Sequence, residues 1–295
     1  MSSAADKRPS VVVGISTYNR SDVLRKSIQS ALQQSHKPLR IAVIDDASTD
    51  ETPSLRGEFE MVSWERWDEN QGYVHARNKM MLTASEDYYV SLDDDAWFLE
   101  NDEIAIAVNY LECHPNVAAV AFDILSPDEP HRHSRGTRLS VGTFIGCGHV
   151  LRLSVVRALG GYAIFPGAYG VEEKDLCLRL IDSGLEIVKL DGVHVWHDKT
   201  MTARDIVRQL RSGVCNDLTL AVWRFPGRII LQVLVWKTVV NLVFASRQGH
   251  LRSCFLGICD FLYAFGKIWQ NRKPVRRSSV ALYRALARAP RAIVG

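Results

Sequence analysis

Three consecutive carboxylates end an apolar run in the stretch Tyr88-Tyr89-Val90-Ser91-Leu92-Asp93-Asp94-Asp95-Ala96-Trp97. In an α/β domain, ligands bind beyond the carboxyl ends of the parallel strands. Neighbouring carboxylates repel one another unless a cation lies among them, and Mg²⁺ and Mn²⁺ prefer carboxylate oxygens and often bind substrate phosphates as well. The stretch therefore predicts a site for a divalent metal and a phosphorylated ligand, with a solvated acidic turn as the alternative.

Two other apolar runs also end in polar residues. Arg40-Ile41-Ala42-Val43-Ile44 leads into Asp45-Asp46-Ala47-Ser48-Thr49-Asp50, and Val11-Val12-Val13-Gly14-Ile15-Ser16-Thr17 leads into Tyr18-Asn19-Arg20. Because parallel strands bring their carboxyl ends to one edge of a sheet, we expect the three ends to form a single site.

Strand-like and helix-like segments alternate along the first half of the chain, which predicts a mainly parallel, doubly wound α/β sheet. The expected helices run from Ser21, as the capping residue, to about Gln34, from about Tyr73 to Ala84, from Asn101 or Asp102 to before Pro115, and from Glu172 to Ser183; further strands are expected at Glu60 to Trp67 and Val117 to Ile124. The polar stretch from Ser126 to Arg138 reads as an exposed loop, and we interpret its His131 and His133 as surface residues.

Composition restricts the class of protein. With 295 residues, 47% of them hydrophobic and 23% charged, the chain can bury a large core. Met1 to Ser10 is polar, so we expect no secretory signal. The six cysteines show no C-x-x-C spacing, which predicts reduced, mostly buried thiols in a cytosolic protein and no zinc site.

Charge is unevenly distributed along the chain. From Arg224 to Gly295 there are thirteen Lys or Arg residues and one acid, Asp260, although the whole chain carries only +3. Two apolar runs lie in this region, Ile229 to Ala245 and Leu251 to Trp269. Both are short for membrane spans, and polar residues interrupt them. They predict helices that lie in a membrane interface, or helices that pack on the catalytic domain.

Seven motifs between residues 9 and 200 resemble, in their order and separation, those of family 2 glycosyltransferases. They are Thr17-Tyr18-Asn19-Arg20, Ile44-Asp45-Asp46-Ala47-Ser48-Thr49-Asp50, Asn70-Gln71-Gly72 with Ala76-Arg77-Asn78, Leu92-Asp93-Asp94-Asp95, Gly160-Gly161-Tyr162, Glu172-Glu173-Lys174-Asp175-Leu176-Cys177-Leu178-Arg179, and Val193-His194-Val195-Trp196-His197. The resemblance implies the GT-A fold, a nucleotide-sugar donor, Mn²⁺ or Mg²⁺ at a D-x-D motif, and inversion at the anomeric carbon.

The resemblance also implies which residues bind the donor. Tyr18 offers an aromatic face near the nucleobase, and Asp46, rather than Asp45, accepts a hydrogen bond from a base N–H. Arg77 falls where the family has a donor-contacting arginine; the alternative is that it only pairs with a carboxylate. We expect the donor to contact Thr17, Tyr18, Arg20, Asp46, Arg77, Asp93 and Asp94.

The metal ligands follow from the same resemblance. Asp93 is expected to face the ribose and Asp95 to bind the metal, while the assignment of Asp94 depends on the register of the three aspartates. His197 matches the family's late metal-binding histidine, and His194 is the alternative.

The general base is expected in the acidic pair at the start of a helix. We assign Glu173 to this role, with Glu172 as the alternative, although acids at a helix N-terminus are also favoured by the helix dipole alone. Trp196 and Gly146 are assigned to the acceptor.

The sequence lacks the Q-x-x-R-W motif of the processive synthases of this family, since Gln209-Leu210-Arg211 and Val222-Trp223-Arg224 do not supply it. We therefore predict a hexosyl- or deoxyhexosyltransferase that adds one sugar to a hydroxyl of a glycan or lipid-linked glycan. The alternatives are a non-catalytic nucleotide-sugar-binding protein and a metal-dependent nucleotidyltransferase.

The predicted organisation has three parts: a flexible tail at residues 1–8, a GT-A catalytic domain at 9–223, and a basic helical region at 224–295. Its basic part predicts an anionic membrane surface as a partner, rather than nucleic acid. The protein is expected in the cytoplasm, peripherally bound to the inner face of the cell membrane.

Overall fold

The computed structural model describes residues 8–129, 137–200, 202 and 205–293. The predicted N-terminal tail, apart from residue 8, and the two loop histidines lie outside the described residues. The chain divides into two compact units. The first unit comprises Met1–Gly161, Leu185–Ala203 and Pro290–Gly295, and the second comprises Tyr162–Gly184 and Arg204–Ala289.

In its described residues the first unit contains one mixed sheet and five helices. Its strands are β1 (Val11–Thr17), β2 (Leu39–Asp45), β3 (Ser63–Arg66), β4 (Tyr88–Asp93), β5 (Ala96–Phe98), β6 (Val117–Leu125), β7 (Arg138–Ser140), β8 (Gly148–Arg152), β9 (Glu186–His197) and β10 (Arg291–Ala292). Its helices are α1 (Ser21–Leu32), α2 (Leu55–Glu58), α3 (Tyr73–Thr83), α4 (Glu103–Cys113) and α5 (Leu153–Leu159), and a short 3-10 turn covers Thr52–Ser54.

The strand order explains why the three polar strand ends meet. The sheet runs β10-β7-β9-β6-β8-β4-β1-β2-β3, with β5 paired to β9. The neighbours β3, β2, β1 and β4 are parallel, and their register sets Ser16 beside Asp93 and Thr17 beside Asp45. The α/β class and this parallel half confirm the prediction, and the polar ends of β1, β2 and β4 lie at one edge.

The other half of the sheet departs from the expected parallel order. Strand β8 is inserted antiparallel between β4 and β6, whereas β6 and β9 are parallel. Strands β5, β7 and β10 pair antiparallel with their neighbours. Each of these inserted strands has five residues or fewer, too short for alternation of apolar and polar residues to identify it.

The core of the first unit lies between the sheet and helices α1 and α4. Val11, Val13 and Ile15 alternate along β1 and share this core with Leu24 of α1 and Ile104 of α4. Alternating side chains on a strand face one side of a sheet, so burial on this face fixes the register of β1.

Helix α1 begins differently from the prediction. The expected cap, Ser21, is instead the first helical residue, and Arg20 occupies the N-cap position without a side-chain cap bond. The Asp50 carboxylate accepts a hydrogen bond from the Ser21 N–H at 3.1 Å. One of the backbone amides that lack an intrahelical partner in the first turn is thus satisfied from the loop after β2, which joins the end of β1 to that loop.

Two other predicted elements have different lengths or extents in the structure. The third strand covers Ser63–Arg66 rather than Glu60 to Trp67, since Phe59 and Val62 are packed into the core before the strand begins. Strand β7 begins at Arg138, where the sequence predicted the end of an exposed loop.

The second unit is helical. It contains α6 (Glu172–Asp182), α7 (Ile206–Arg224), α8 (Gly227–Arg247), α9 (Leu251–Gln270) and α10 (Arg277–Arg288). Its core includes Val214, Leu218 and Trp223 of α7 together with Phe261 of α9. The two apolar runs of the C-terminal region are thus α8 and α9, as helices were predicted there. Residues 162–184 and 204–223 belong to the same unit as these helices, and the predicted domain boundary at residue 223 stays a prediction.

A buried asparagine fixes the loop that leads into α6. Asn216 of α7 accepts a hydrogen bond from the Gly167 N–H at 2.7 Å and donates to the carbonyls of Gly167 and Tyr169. A Cβ at Gly167 would lie 2.8 Å from the Ser212 Cα, so glycine allows this close approach. The loop therefore delivers the acidic start of α6 from a fixed position within the second unit.

Candidate functional site

Asp46, directly after strand β2, binds the turn that precedes α3. Asp46 is buried, and its two carboxylate oxygens accept hydrogen bonds from the N–H groups of Gln71 at 2.7 Å and Gly72 at 2.8 Å. Burial raises the pKa of Asp46, although these two amides act in the opposite direction. The structure thus gives Asp46 a local partner; its predicted contact with a nucleobase stays a prediction.

The neighbouring strand end is held by an asparagine that the sequence analysis did not single out. Asn19 has a left-handed backbone conformation, with φ of 54°. Its side-chain oxygen accepts the Thr49 N–H at 2.6 Å, and its own N–H donates to Ser48 Oγ at 2.9 Å. Asparagine is among the few non-glycine residues that tolerate this conformation. Asn19 therefore joins the ends of β1 and β2 and places the half-exposed Tyr18 beside them.

The three aspartates at the end of β4 lie against two arginines and a histidine. Arg77, which is buried on α3, donates a hydrogen bond to Asp93 and lies over the Tyr73 ring at 4.9 Å from its centroid. The alternative noted for Arg77, a carboxylate pair, is therefore observed. The guanidinium and the ring orient the first aspartate from one side.

Asp94 is bound by an arginine from the first motif. Arg20 Nη1 donates to Asp94 Oδ1 at 2.8 Å, and Arg20 Nε donates to the carbonyl of Thr202 at 3.0 Å. Burial raises the pKa of Asp94 to about 6 despite this pairing, and the neighbouring Asp95 charge acts in the same direction. Arg20 thus binds the middle aspartate and the segment after β9 together.

Asp95 is fully buried and lies against a histidine. Its Oδ2 accepts the Thr200 N–H at 3.1 Å, and its carbonyl accepts the Asp198 N–H at 2.9 Å. Its Oδ1 lies 3.2 Å from His197 Nε2. That ring nitrogen has no hydrogen-bond partner in the described part of the chain. The imidazole nitrogen faces the carboxylate but does not form a hydrogen bond with it. The two groups are therefore suited to binding one cation between them.

The pairing of β5 with β9 produces this contact. Ala96 pairs with His197 and Trp97 with Trp196, so the residue after Asp95 lies beside His197. Alternation along β9 directs His194 to the opposite face, where its Nε2 lies 3.9 Å from Asp123. Of the two candidate metal-binding histidines, His197 is therefore the one that lies beside Asp95.

A cysteine completes the cluster. Ligand atoms of Asp93, Cys147 and His197 all lie within 4.8 Å of one another. Cys147 precedes β8, whose antiparallel pairing sets Gly148 beside Leu92 of β4. Burial, with the charges of Asp93 and Asp95, raises the pKa of the Cys147 thiol. The sequence analysis missed Cys147 because it considered only closely spaced pairs of cysteines as metal ligands. In the structure the single thiol of Cys147 lies near the Asp93 carboxylate and the His197 ring.

This set of donors fits a divalent cation. Carboxylate ligands suit Mn²⁺ and Mg²⁺, whereas the imidazole and the thiol add affinity for softer metals. Asp95 and His197, with Asp93 and Cys147 beside them, would hold the ion.

The residues predicted for the acceptor lie near this cluster. Gly146 is in the turn that directly precedes Cys147. Trp196 stacks on Trp97, with ring centroids 6.3 Å apart, on the face of β9 opposite His197. Lys26 Nζ lies over the Trp97 ring, 4.9 Å from its centroid, so a cation stacks on this aromatic pair.

The predicted base lies in the second unit, at the start of α6. Val171, the N-cap residue, has φ of 72°, an unfavourable conformation for a β-branched residue. Glu172 is buried with 2% exposure, whereas Glu173 is partly exposed. Asp175 is fully buried between Arg179 at 2.8 Å and Arg224 at 2.5 Å. Of the acids in this first turn, Glu173 is therefore the most exposed, and its role as the base stays a prediction.

Comparison with known sequences identifies relatives of this chain. The profile of Glycosyl transferase family 2 matches residues 12–166. EpsE of Bacillus subtilis strain 168, named as a glycosyltransferase, is 30% identical over 195 residues, which cover 59% of this chain and 67% of EpsE. TuaG of the same organism, named as a teichuronic acid biosynthesis glycosyltransferase, is 35% identical over 96 residues. That alignment covers 30% of this chain and 38% of TuaG.

Comparison with solved structures supports the architecture. A mannosyltransferase from Pyrobaculum calidifontis, solved with GDP-Man and Mn²⁺, superposes with a TM-score of 0.61 at 18% identity. The superposition covers 96% of this chain and 84% of the mannosyltransferase. The predicted GT-A fold is thereby confirmed.

Proposed function

The chain belongs to glycosyl transferase family 2, and on that premise we propose that it moves one sugar from a nucleoside-diphosphate sugar to an acceptor hydroxyl with inversion. The sugar would be a hexose or deoxyhexose, and the acceptor a glycan or lipid-linked glycan. The GDP-Man and Mn²⁺ of the structurally similar mannosyltransferase support a nucleotide-sugar donor and a divalent metal.

The observation that carries the proposal is the contact between Asp95 Oδ1 and His197 Nε2 at 3.2 Å. Asp95 and His197 would hold the cation, with Asp93 and Cys147 beside it. A bound divalent cation supplies Lewis-acid neutralisation of the diphosphate charge. Arg20 and Arg77 hold Asp94 and Asp93, so the carboxylates are oriented before the donor binds.

Glu173 would act on the acceptor. Its carboxylate would take the proton from the acceptor hydroxyl while that oxygen bonds to the anomeric carbon and the bond to the diphosphate breaks. Attack from the face opposite the leaving group inverts the configuration. The partial exposure of Glu173 and the burial of Glu172 support this choice.

A donor screen tests the proposal. The full-length protein is mixed with UDP-, GDP- and dTDP-sugars in Mn²⁺ or Mg²⁺, and release of the nucleoside diphosphate is measured. We expect release from one nucleotide class, and its loss in excess chelator. The exposed Asp68→Asn variant is the matched control for substitutions in the cluster. No release from any donor, or equal release in chelator, would contradict the proposal.

A further inference from the structure

Helix α8 exposes a large number of apolar side chains for a surface helix. They include Leu231 at 75% and Trp236 at 67% exposure. Val235, Val239, Val240, Leu242, Val243 and Phe244 are exposed on the same helix. Soluble proteins rarely leave an apolar patch of this extent uncovered, and such patches mark interaction sites.

Two polar residues in the middle of α8, Lys237 and Asn241, lie on its inward side. Ile230, Val233, Lys237, Asn241 and Ala245 recur every three or four residues and are buried or partly buried. Lys237 pairs with Asp217 of α7, and Asn241 Nδ2 lies 3.4 Å from the same carboxylate. The partly buried ion pair holds this face of α8 against α7, because separating the pair would leave two partly buried charges without their partners.

Helix α9 adds a second apolar surface. It follows α8 after three residues and packs on α7 through Cys254, Gly257 and Phe261. Its exposed side includes Tyr263 at 95% exposure together with Leu251, Phe255, Leu262, Phe265 and Trp269. Aromatic residues of this kind are enriched where a protein meets the membrane–water boundary.

The charge around these helices has one sign. Helix α8 contains no acid, and Asp260, the single acid of α9, binds Arg211 of α7 through both carboxylate oxygens. Arg228, Arg247, Arg252 and Lys267 are exposed on the two helices. A surface that is apolar, aromatic and basic complements an anionic lipid bilayer, whereas a nucleic acid would not be matched by the apolar side chains.

We propose that the outward faces of α8 and α9 bind this protein to an anionic bilayer, with α8 lying parallel to the membrane plane. By length and composition α8 is the one helix among the described residues that could cross a membrane. Its ion pair and its packing against α7 along one side require it to stay on the protein, so it enters the interface sideways. The inference is independent of the proposed transfer reaction, since binding is measured without donor or acceptor.

Vesicle co-sedimentation of the full-length protein tests the surface. We expect strong binding to phosphatidylcholine vesicles that contain phosphatidylglycerol and weak binding to phosphatidylcholine alone. A Leu231→Ser, Trp236→Ser and Phe244→Ser triple variant should bind at least tenfold more weakly. The matched control is Met61→Ser with Leu99→Ser, which removes exposed apolar groups of the first unit. Arg252→Gln should lower partitioning about fivefold, whereas Arg56→Gln should not.

Orientation is tested by fluorophore labels at Leu231→Cys and Leu242→Cys, with the exposed Cys113 and Cys259 changed to serine. These positions are 11 residues apart, or roughly 16 Å along a helix, and lie on the same side of it. Equal quenching depth supports the parallel arrangement, and a depth difference near that length would show a spanning helix and overturn it.

Two further outcomes overturn the proposal. Equal and negligible binding to both vesicle types would remove the membrane as the partner. A vesicle-free dimer that dissociates in the triple serine variant would assign the face to self-association instead.

Discussion

At the scale of single residues, the three aspartates at the end of β4 differ in the side chains that they contact. Arg77 binds Asp93, Arg20 binds Asp94, and His197 lies beside Asp95. Arg20 Nη1 also lies 3.6 Å from Asp95 Oδ2, so the two arginines face all three carboxylates, and Asp95 lies beside an imidazole as well. The role of Asp95 as a metal ligand stays a prediction.

Asp95→Asn should abolish metal-dependent transfer while leaving the fold intact. The asparagine side chain can still accept the Thr200 N–H, but it lacks the charge that balances a cation. We expect turnover and Mn²⁺ affinity to fall at least about 100-fold. Nucleoside diphosphate release and Mn²⁺ titration measure the two effects, and Asp68→Asn serves as control. A folded Asp95→Asn protein with normal turnover would refute the assignment.

Glu173→Gln should lower turnover and leave donor binding nearly unchanged. Loss of a general base costs about 10²- to 10⁴-fold in rate, whereas a base that acts on the acceptor contributes little to donor affinity. Turnover and the donor dissociation constant are measured side by side for Glu173→Gln and Glu172→Gln. A rate loss confined to Glu172→Gln would exchange the two roles, and no loss in either would place the base elsewhere.

At the scale of helices and strands, close packing of α9 on α7 depends on Gly257. A Cβ at this position would lie 2.4 Å from the Arg211 carbonyl oxygen and 2.9 Å from the Val214 Cβ. Gly266 on the same helix has no such neighbour within 4 Å. Substitution of Gly257 therefore tests the steric requirement for glycine at a helix contact. Substitution of Gly266 measures only the intrinsic cost of glycine in a helix.

Gly257→Ala should destabilise the protein by about 1–3 kcal/mol, because the added methyl forces two helices apart. Gly266→Ala should instead stabilise it by about 0.5–1 kcal/mol, since alanine is the better helix former. Denaturant unfolding of both variants beside the wild type checks the signs. Equal effects of the two substitutions would contradict the packing argument.

The N-terminal end of helix α10 is hydrogen-bonded to one carboxylate of α6. Asp182 Oδ1 accepts hydrogen bonds from the Arg276 N–H at 2.8 Å and Ser279 Oγ at 2.7 Å. Burial acts to raise the pKa of Asp182, but the bonds from Ser279 and Arg276 outweigh it, so the pKa is lowered. Its contribution to stability is therefore present above the unfolded-state pKa and is lost as pH falls through the lower folded-state pKa.

Asp182→Ala should reduce the free energy of unfolding by about 1–2 kcal/mol at pH 7, as for loss of a helix cap. Asp182→Asn should cost less, because it still accepts both bonds, and should remove this group's pH dependence below about pH 4. Unfolding curves measured from pH 7 to pH 3 test this. An alanine variant as stable as the wild type would rule out the tether.

The elements near the site show where sequence reasoning succeeds and where it stops. The proximity of Asp95 and His197 could be predicted, because Asp95 closely follows β4 and His197 ends β9, whereas their role as metal ligands stays a prediction. Cys147 could not, since it reaches β4 only through β8, a five-residue strand inserted antiparallel between β4 and β6. The Arg20–Asp94 pair joins residues 74 positions apart, and no local pattern specifies such a partner.

At the scale of the whole molecule, the uneven charge of the sequence corresponds to one structural unit. The basic helices α8, α9 and α10 lie in the second unit, whereas the aspartate cluster lies in the first. Composition along the chain predicts this contrast. It does not predict that the first unit continues at residues 185–203 and 290–295, because chain order carries no information about which strands pair.

High salt should release the protein from anionic vesicles without impairing transfer in solution. Raising ionic strength from about 0.1 to 1 M shortens the Debye length from roughly 10 to 3 Å, and buried charges are screened less than exposed ones. We expect vesicle binding to fall at least about tenfold while nucleoside diphosphate release without vesicles changes little. Salt-insensitive vesicle binding would assign the attachment to the apolar side chains alone.

Strand β10 affects how this protein is made on the ribosome. Arg291 and Ala292 pair with Ser140 and Leu139, and the Ile293 N–H donates to the Arg138 carbonyl. About 150 residues separate the partners, which at roughly 5–20 residues per second is a delay of about 10–30 s. During that interval the nascent sheet has an open edge at β7, and open edges recruit strands from other chains. Slow translation through the second unit would therefore lengthen the time in which a chaperone must shield that edge.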